Sequence, residues 1–229
     1  MPAQAPAAAA PVGAIGDVHG CASLLERVLR PHLHSGAELI FLGDLIDRAP
    51  EPNGDRGVIE RARTLQHDPQ RHGLAGVTVL RGNHEQMLLK VLHTEAGGDA
   101  ERAGGARDLW CSNGGDAGFL PVAREHRRWL EALPSTAMRG RYLFVHAGVR
   151  PGVPLAQQRT DDLLWIRDPF LEAPHHGLPY TVVHGHTFRR DYRVTRLPHR
   201  IGIDTGAYRS GVLTALPLSP CASTSPEAG

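Results

Sequence analysis

Five short segments, each built around a glycine and carrying histidine or acid, punctuate this chain: GDVHG at 16–20, GDLIDR at 43–48, RGNHE at 81–85, FVHAG at 144–148 and HGHT at 184–187. Each follows an apolar, β-branched run, so each sits where a strand should end. They lie far apart in sequence. A fold that gathers strand ends along one edge is what brings such segments together.

The surrounding pattern predicts that fold. Residues 12–15, 38–42 and 77–80 read as strands. Residues 23–29, 58–66 and 86–93 read as helices, the first with Ser23 as N-cap and Glu26 three residues on, as in a capping box. The last carries an apolar face of Met87, Leu88, Val91 and Leu92. This β-α-β-α-β-α order implies a parallel sheet with right-handed crossovers. Residues 49–57 form a Pro/Gly/Asp-rich loop, and 96–118 a Gly-rich insertion or cap near the site. A helix follows at 125–133. The chain then turns strand-rich at 142–145, 181–183, 200–203 and 211–216, the last two pairing like a hairpin around 204–210. The expected class is α/β: two mixed β-sheets sandwiched by helices, in a single domain over 12–216. The tails 1–11 and 217–229 read as disordered.

Composition narrows the function. A length of 229 residues suits one domain with a real core. A net charge of +1 gives no broad pull toward nucleic acid or membrane. Cys21, Cys111 and Cys221 include no CxxC pair and read as reduced thiols. Residues 1–13 lack the positive start of a signal peptide, and no apolar run approaches the ~20 residues of a membrane span. A cytoplasmic enzyme is the expectation.

The segments carry a ligand set rich in oxygen and nitrogen. Asp17 and His19, at i and i+2, point the same way in extended backbone and can reach one metal. Asp44 ends the next strand, and its two oxygens can bridge two cations. Asn83 offers a carbonyl oxygen and His84 a titratable ring, while His146 and His186 each follow a strand. Arginines remain for an anion. Together these point to metal-assisted phosphoester hydrolysis.

GD-x-H-G, GD-x-x-DR, GNHE, H-A-G and GHT resemble the PPP-type metallophosphoesterases, with the calcineurin-like fold. That group includes phosphoprotein phosphatases, the bacteriophage lambda-type enzyme and bacterial diadenosine tetraphosphatases. The resemblance runs from about Val12 to Leu216, and the IDTGAY…GVLTAL ending is most similar to bacterial members. It implies that Asp17 and His19 hold one metal, that Asp44 bridges, and that Asn83, His146 and His186 hold the second. The metals implied are Mn²⁺ foremost, or Fe or Zn²⁺. His184 would stand behind the ligands or on the substrate side. Arg48, Arg81 and Arg167 would line the phosphate pocket. His84 would be the catalytic acid and Asp47 its orienting carboxylate. A metal-bridging hydroxide would attack phosphorus in line, with no phosphoenzyme.

Two departures stand out. The family's glycine after GD-x-x-DR is Ala49 here, and the loop EPNGDRG is longer than usual. A left-handed Ala49 would cost about 1–2 kcal/mol and would put the placement of Arg48 in question. Asn113, within Asn113-Gly114-Gly115, is either near a substrate groove or in a plain turn. Tyr208 is either a groove aromatic or a packing residue. The resemblance implies a phosphatase acting on phosphoserine or phosphothreonine of proteins, with phosphotyrosine also open. A bis(5'-nucleosyl)-tetraphosphatase is the first alternative. A nuclease is disfavoured by Glu85, since such relatives read GNHD. A catalytically dead phosphopeptide-binding module is disfavoured because every matched ligand is present. Oligomeric state stays open.

Overall fold

The computed structural model describes residues 10–219. In chain order the elements are β1 (Val12–Ile15), α1 (Ala22–Leu29), β2 (Glu38–Phe41), α2 (Gly54–His67), β3 (Gly76–Val79), α3 (Asn83–Ala96), α4 (Ala100–Ser112), α5 (Leu120–Glu131), β4 (Thr136–Arg139), β5 (Tyr142–Val145), α6 (Thr160–Trp165), α7 (Asp168–Leu171), β6 (Thr181–His184), β7 (Thr195–Arg196), β8 (Arg200–Gly202), α8 (Ala207–Ser210) and β9 (Ala215–Leu218).

One sheet runs β3-β2-β1-β9, with β1, β2 and β3 parallel and β9 antiparallel to β1. The other runs β4-β5-β6-β8-β7, with β5, β6 and β8 parallel and antiparallel strands at both edges. Period-2 alternation builds the layers. Val12, Ala14, Ile40, Leu42, Phe144 and Val183 meet between the sheets. Ile15, Leu39, Phe41 and Val79 face the other way, onto Leu25, Ile59, Leu88 and Leu130 of the helices. On the second sheet Leu143, Val145 and Val182 pack on Leu163, Ile166 and Phe170. Fully burying each large apolar side chain contributes roughly 1.5–3 kcal/mol. The expected two-sheet α/β sandwich is therefore observed.

Several boundaries differ from the sequence reading. Ser23 does not cap α1. Cys21 precedes the helix, and Ser23 gives both its N–H and its hydroxyl to Glu51, at 2.9 and 2.7 Å. Helix α2 begins at Gly54, within the stretch read as loop. Helix α3 begins at Asn83 because Glu85, at its third position, accepts the Gly82 N–H at 2.8 Å. The segment read as an insertion contains α4, whose internal Gly104 and Gly105 hide its helical character. Strands β4 and β7 were not foreseen. The expected hairpin of the last two strands does not form: β8 pairs with β6 and β7, whereas β9 crosses to the other sheet and pairs with β1. Strand β9 also extends to Leu218, into the stretch read as tail. Residues 1–9 and 220–229, Cys221 among them, lie outside the described residues. Cys21 is buried, which pushes its thiol up to about 11, and Cys111 is exposed. No described helix is long and apolar enough to cross a membrane.

Candidate active site

The turns after β1, β2, β3, β5 and β6 meet around the Asp44 carboxylate. Its Oδ2 lies 3.7 Å from His19 Nε2 and 3.8 Å from His84 Nε2, and its Oδ1 lies 3.4 Å from His146 Nε2. Asn83 Oδ1 stands 2.8 Å from His146 Nε2 and 2.9 Å from His186 Nδ1. Asp17 Oδ2 accepts the His186 N–H at 2.9 Å, joining the two sheets. All of these residues are buried. Two clusters with metal-ligand spacing result, His19/Asp44/His84 and Asp44/His146/His186, and Asp44 belongs to both.

The donors fit divalent cations. His19 Nδ1–H donates to Ile46 O at 2.9 Å, and His146 Nδ1–H to Leu42 O at 2.8 Å. In the neutral rings this leaves each Nε2 lone pair aimed at the centre. Burial keeps the rings neutral: it drives His19 and His186 down to about 3, and lowers His146 as well. The His146 Nε2 lone pair then faces Asn83 Oδ1, another acceptor, an arrangement that a shared cation satisfies. Asp17 Oδ1 is buried with no hydrogen-bond partner among the described residues. Burial, then Asp204 and Asp44, raise the Asp17 carboxyl well above its ordinary value. Burial also opposes ionisation of Asp44, while the positive charge that His84 carries beside it favours the carboxylate. Crowded carboxylates with neutral imidazoles make a set for hard to borderline divalent metals.

His84 Nδ1 lies 2.6 Å from Asp47 Oδ2. Burial works against a charged His84, yet Asp44 and Asp47 prevail and its pKa is raised. Arg48 Nη1 lies 2.9 Å from His19 Nε2, and its guanidinium sits 5.1 Å from the Tyr208 ring centroid. The Tyr208 ring is also 5.1 Å from the His19 ring, so it borders the centre. Arg167 immediately precedes α7, and its charge adds to burial in lowering the pKa of His146 and His186. Buried Arg200 anchors α7 by donating to the carbonyls of Phe170, Leu171 and Ala173. Trp165, 40% exposed, stands 6.2 Å from the His186 ring.

Two expected substrate contacts are placed differently. Arg81 turns away from the centre and donates to Gln86 Oε1 and to the carbonyls of Leu130 and Glu131, at the end of α5. Last-turn carbonyls lack the full set of helix partners, and a guanidinium supplements the backbone bond that Leu130 O takes from Leu133 N–H. Asn113 spends its side-chain amide on Leu109 O, and only its backbone carbonyl reaches Arg48. His184 packs its ring 5.1 Å from Phe170, behind the ligands. Ala49 carries no strain, because Asp47 (φ 71°) and Arg48 (φ 62°) take the left-handed conformation instead.

Sequence reasoning missed Asp204 and Trp110 as parts of this neighbourhood, and gave Glu85, within RGNHE, no role in it. Asp204 is buried, and burial followed by the charge of Asp44 raises it to about 6. It follows an apolar strand and precedes Thr205-Gly206, the same signal as the other segments. Trp110 carried no such signal.

Comparison with known proteins agrees with this geometry. The family model for calcineurin-like phosphoesterases matches residues 10–203. The chain is 30% identical over 226 residues to serine/threonine-protein phosphatase 1 of Salmonella typhimurium, covering 89% of each. It is 31% identical over 147 residues to a symmetrical bis(5'-nucleosyl)-tetraphosphatase of Methylococcus capsulatus, covering 60% of this chain and 43% of that protein. A cold-active protein-tyrosine phosphatase of a psychrophilic Shewanella species shares the fold, at a TM-score of 0.60 and 17% identity, over 90% of this chain and 75% of that one. With its ligand turns gathered at one edge of two sheets and a family match over most of its length, the chain belongs to the calcineurin-like phosphoesterases, hydrolases of the metallophosphoesterase type.

Proposed function

We propose that this enzyme hydrolyses phosphomonoesters on protein side chains, phosphoserine and phosphothreonine first and phosphotyrosine second, with manganese as its metal. The observation that carries the reading is the likeness to the Salmonella phosphatase along 89% of both chains. The second reading is a dinucleoside tetraphosphate hydrolase. The Methylococcus relative supports it, although this chain spans less than half of that protein.

Asp17 and His19 would hold one metal, Asn83, His146 and His186 the other, and Asp44 both. When bound, such a pair supplies Lewis-acid polarisation and an activated water. The chain's own residues do the rest. Arg48 and Arg167 flank the centre and bind phosphoryl oxygens, for which a planar guanidinium is suited. Asp47 accepts the His84 Nδ1–H, which leaves Nε2–H facing Asp44 and the reacting centre. From there His84 gives its proton to the departing oxygen and regains one from solvent. A positioned acid of this kind contributes ~10²–10⁴ in rate.

The test is kcat/KM of the metal-stripped, Mn²⁺-reconstituted enzyme on a phosphoserine peptide, a phosphotyrosine peptide and diadenosine tetraphosphate. Peptide turnover well above dinucleotide turnover is expected. The reverse would move the enzyme to the second reading, and no turnover with metal bound would overturn both.

A further inference from the structure

We infer that the C-terminal turn of α4, residues 110–114, is a positioning element for both Asp47 and Arg48, and that Trp110 is its decisive side chain. The inference rests on the reading of His84 as the proton donor.

Asp47 is fully buried between two rings. On one side Oδ2 meets His84 Nδ1 at 2.6 Å. On the other, Trp110 Nε1–H spans both carboxylate oxygens, at 3.0 Å from Oδ1 and 2.8 Å from Oδ2. An indole N–H only donates, so it selects the ionised, accepting carboxylate. Its ring is rigid and completely buried, so the carboxylate plane cannot turn without losing the bond. Holding that plane fixes the direction of the His84 bond, and with it the aim of His84 Nε2.

The same turn reaches the next residue. Arg48 N–H donates to Gly114 O at 3.0 Å, and Arg48 Nε–H to Asn113 O at 3.2 Å. Asp47 and Arg48 both have left-handed backbone, which ordinary side chains adopt only where surrounding contacts enforce it. Two glycines let the turn come so close. A Cβ on Gly115 would lie 2.2 Å from the Trp110 ring, and one on Gly114 would lie 2.5 Å from Arg48 Cγ. Simple core packing would account for the bulk of Trp110 but not for a hydrogen bond shared by both oxygens of the dyad carboxylate.

The experiment compares Trp110→Phe, which keeps a large ring and removes the N–H, with wild type and His84→Asn. Each Mn²⁺-loaded enzyme is assayed on an alkyl phosphate and on p-nitrophenyl phosphate, whose leaving group needs little protonation. Trp110→Phe should lose on the order of tenfold or more in kcat on the alkyl ester and distinctly less on the nitrophenyl ester. KM should hold, because the backbone carbonyls still seat Arg48. Equal loss on both esters, while His84→Asn keeps the leaving-group dependence, would overturn the inference alone. Equal loss in His84→Asn itself would remove the acid reading, and the inference with it. Should Trp110→Phe fail to fold, Gly115→Ala carries the same test by displacing the indole. It should show the same selective loss, now with a raised KM, and a loss equal on both esters would again overturn the inference.

Discussion

Glu85 holds the backbone of Asp44: its Oε2 accepts the Asp44 N–H at 2.9 Å, and its Oε1 accepts the neighbouring Leu45 N–H at 2.8 Å. The same Oε2 takes the Gly82 N–H at 2.8 Å, so one buried carboxylate ties the start of α3 to the turn that presents the shared ligand. Glu85→Gln sets an amide NH₂ against at least one of these donors. The expected cost is about 1–3 kcal/mol of stability. Mn²⁺ affinity should fall roughly 10–100-fold, as for other residues that support a ligand. Urea unfolding and calorimetric titration measure the two, and unchanged affinity would show that the turn holds itself.

Metal should stabilise the fold, because Asp17, Asp44 and Asp204 crowd buried negative charge into one centre. Chelation should lower the thermal midpoint, and Mn²⁺ at a hundredfold excess over Kd should add about 2.7 kcal/mol for each site it fills. Asp44 belongs to both ligand clusters, so Asp44→Asn should abolish most of that gain, and Asp17→Asn only part of it. A full gain in Asp44→Asn would rule out a bridging role.

Asp55 gives a pH signature. It is buried at the start of α2, and burial, then the charges of Asp47 and Asp116, raise its carboxyl to about 7. The folded chain therefore keeps this proton to higher pH than the unfolded chain, whose value is about 3.9. The stability that results is complete below about pH 4 and lost as pH rises through about 7. Asp55→Asn mimics the protonated form throughout. Its advantage over wild type should grow across that range to roughly 1–4 kcal/mol at pH 8, read by urea unfolding at pH 5 and 8. A constant difference would mean that Asp55 stays ionised in the fold.

Gly104 and Gly105 lie inside α4 with open space where a Cβ would be, and neither has positive φ. Gly104→Ala and Gly105→Ala should each raise stability by about 0.5–1 kcal/mol, measured as an increase in thermal midpoint. A loss would mean that α4 must bend there.

How much of this was legible in the sequence depended on how local the cause is. Asp17, His19, Asp44, Asn83, His146 and His186 were legible because each lies in the turn that follows an apolar strand, and strand ends in such sheets share an edge. The pairing of β9 with β1 was not legible, because partner choice between two apolar strands is made by the layers they complete. Helix α4 was obscured by glycines that local propensity counts against it.

Arg81 and Trp110 mark the boundary most clearly. The sequence by itself determined the chemistry that could occur: residue types, their order, and the turns that expose them. Only the tertiary structure decided which arginine lies beside His19 and which caps a helix, because Arg48 and Arg81 differ in where their backbone points them, not in what they are. It likewise decided that a tryptophan 63 residues away would brace the Asp47 carboxylate. Hydrogen-bond direction is set by three-dimensional approach, and no local pattern of residues records it.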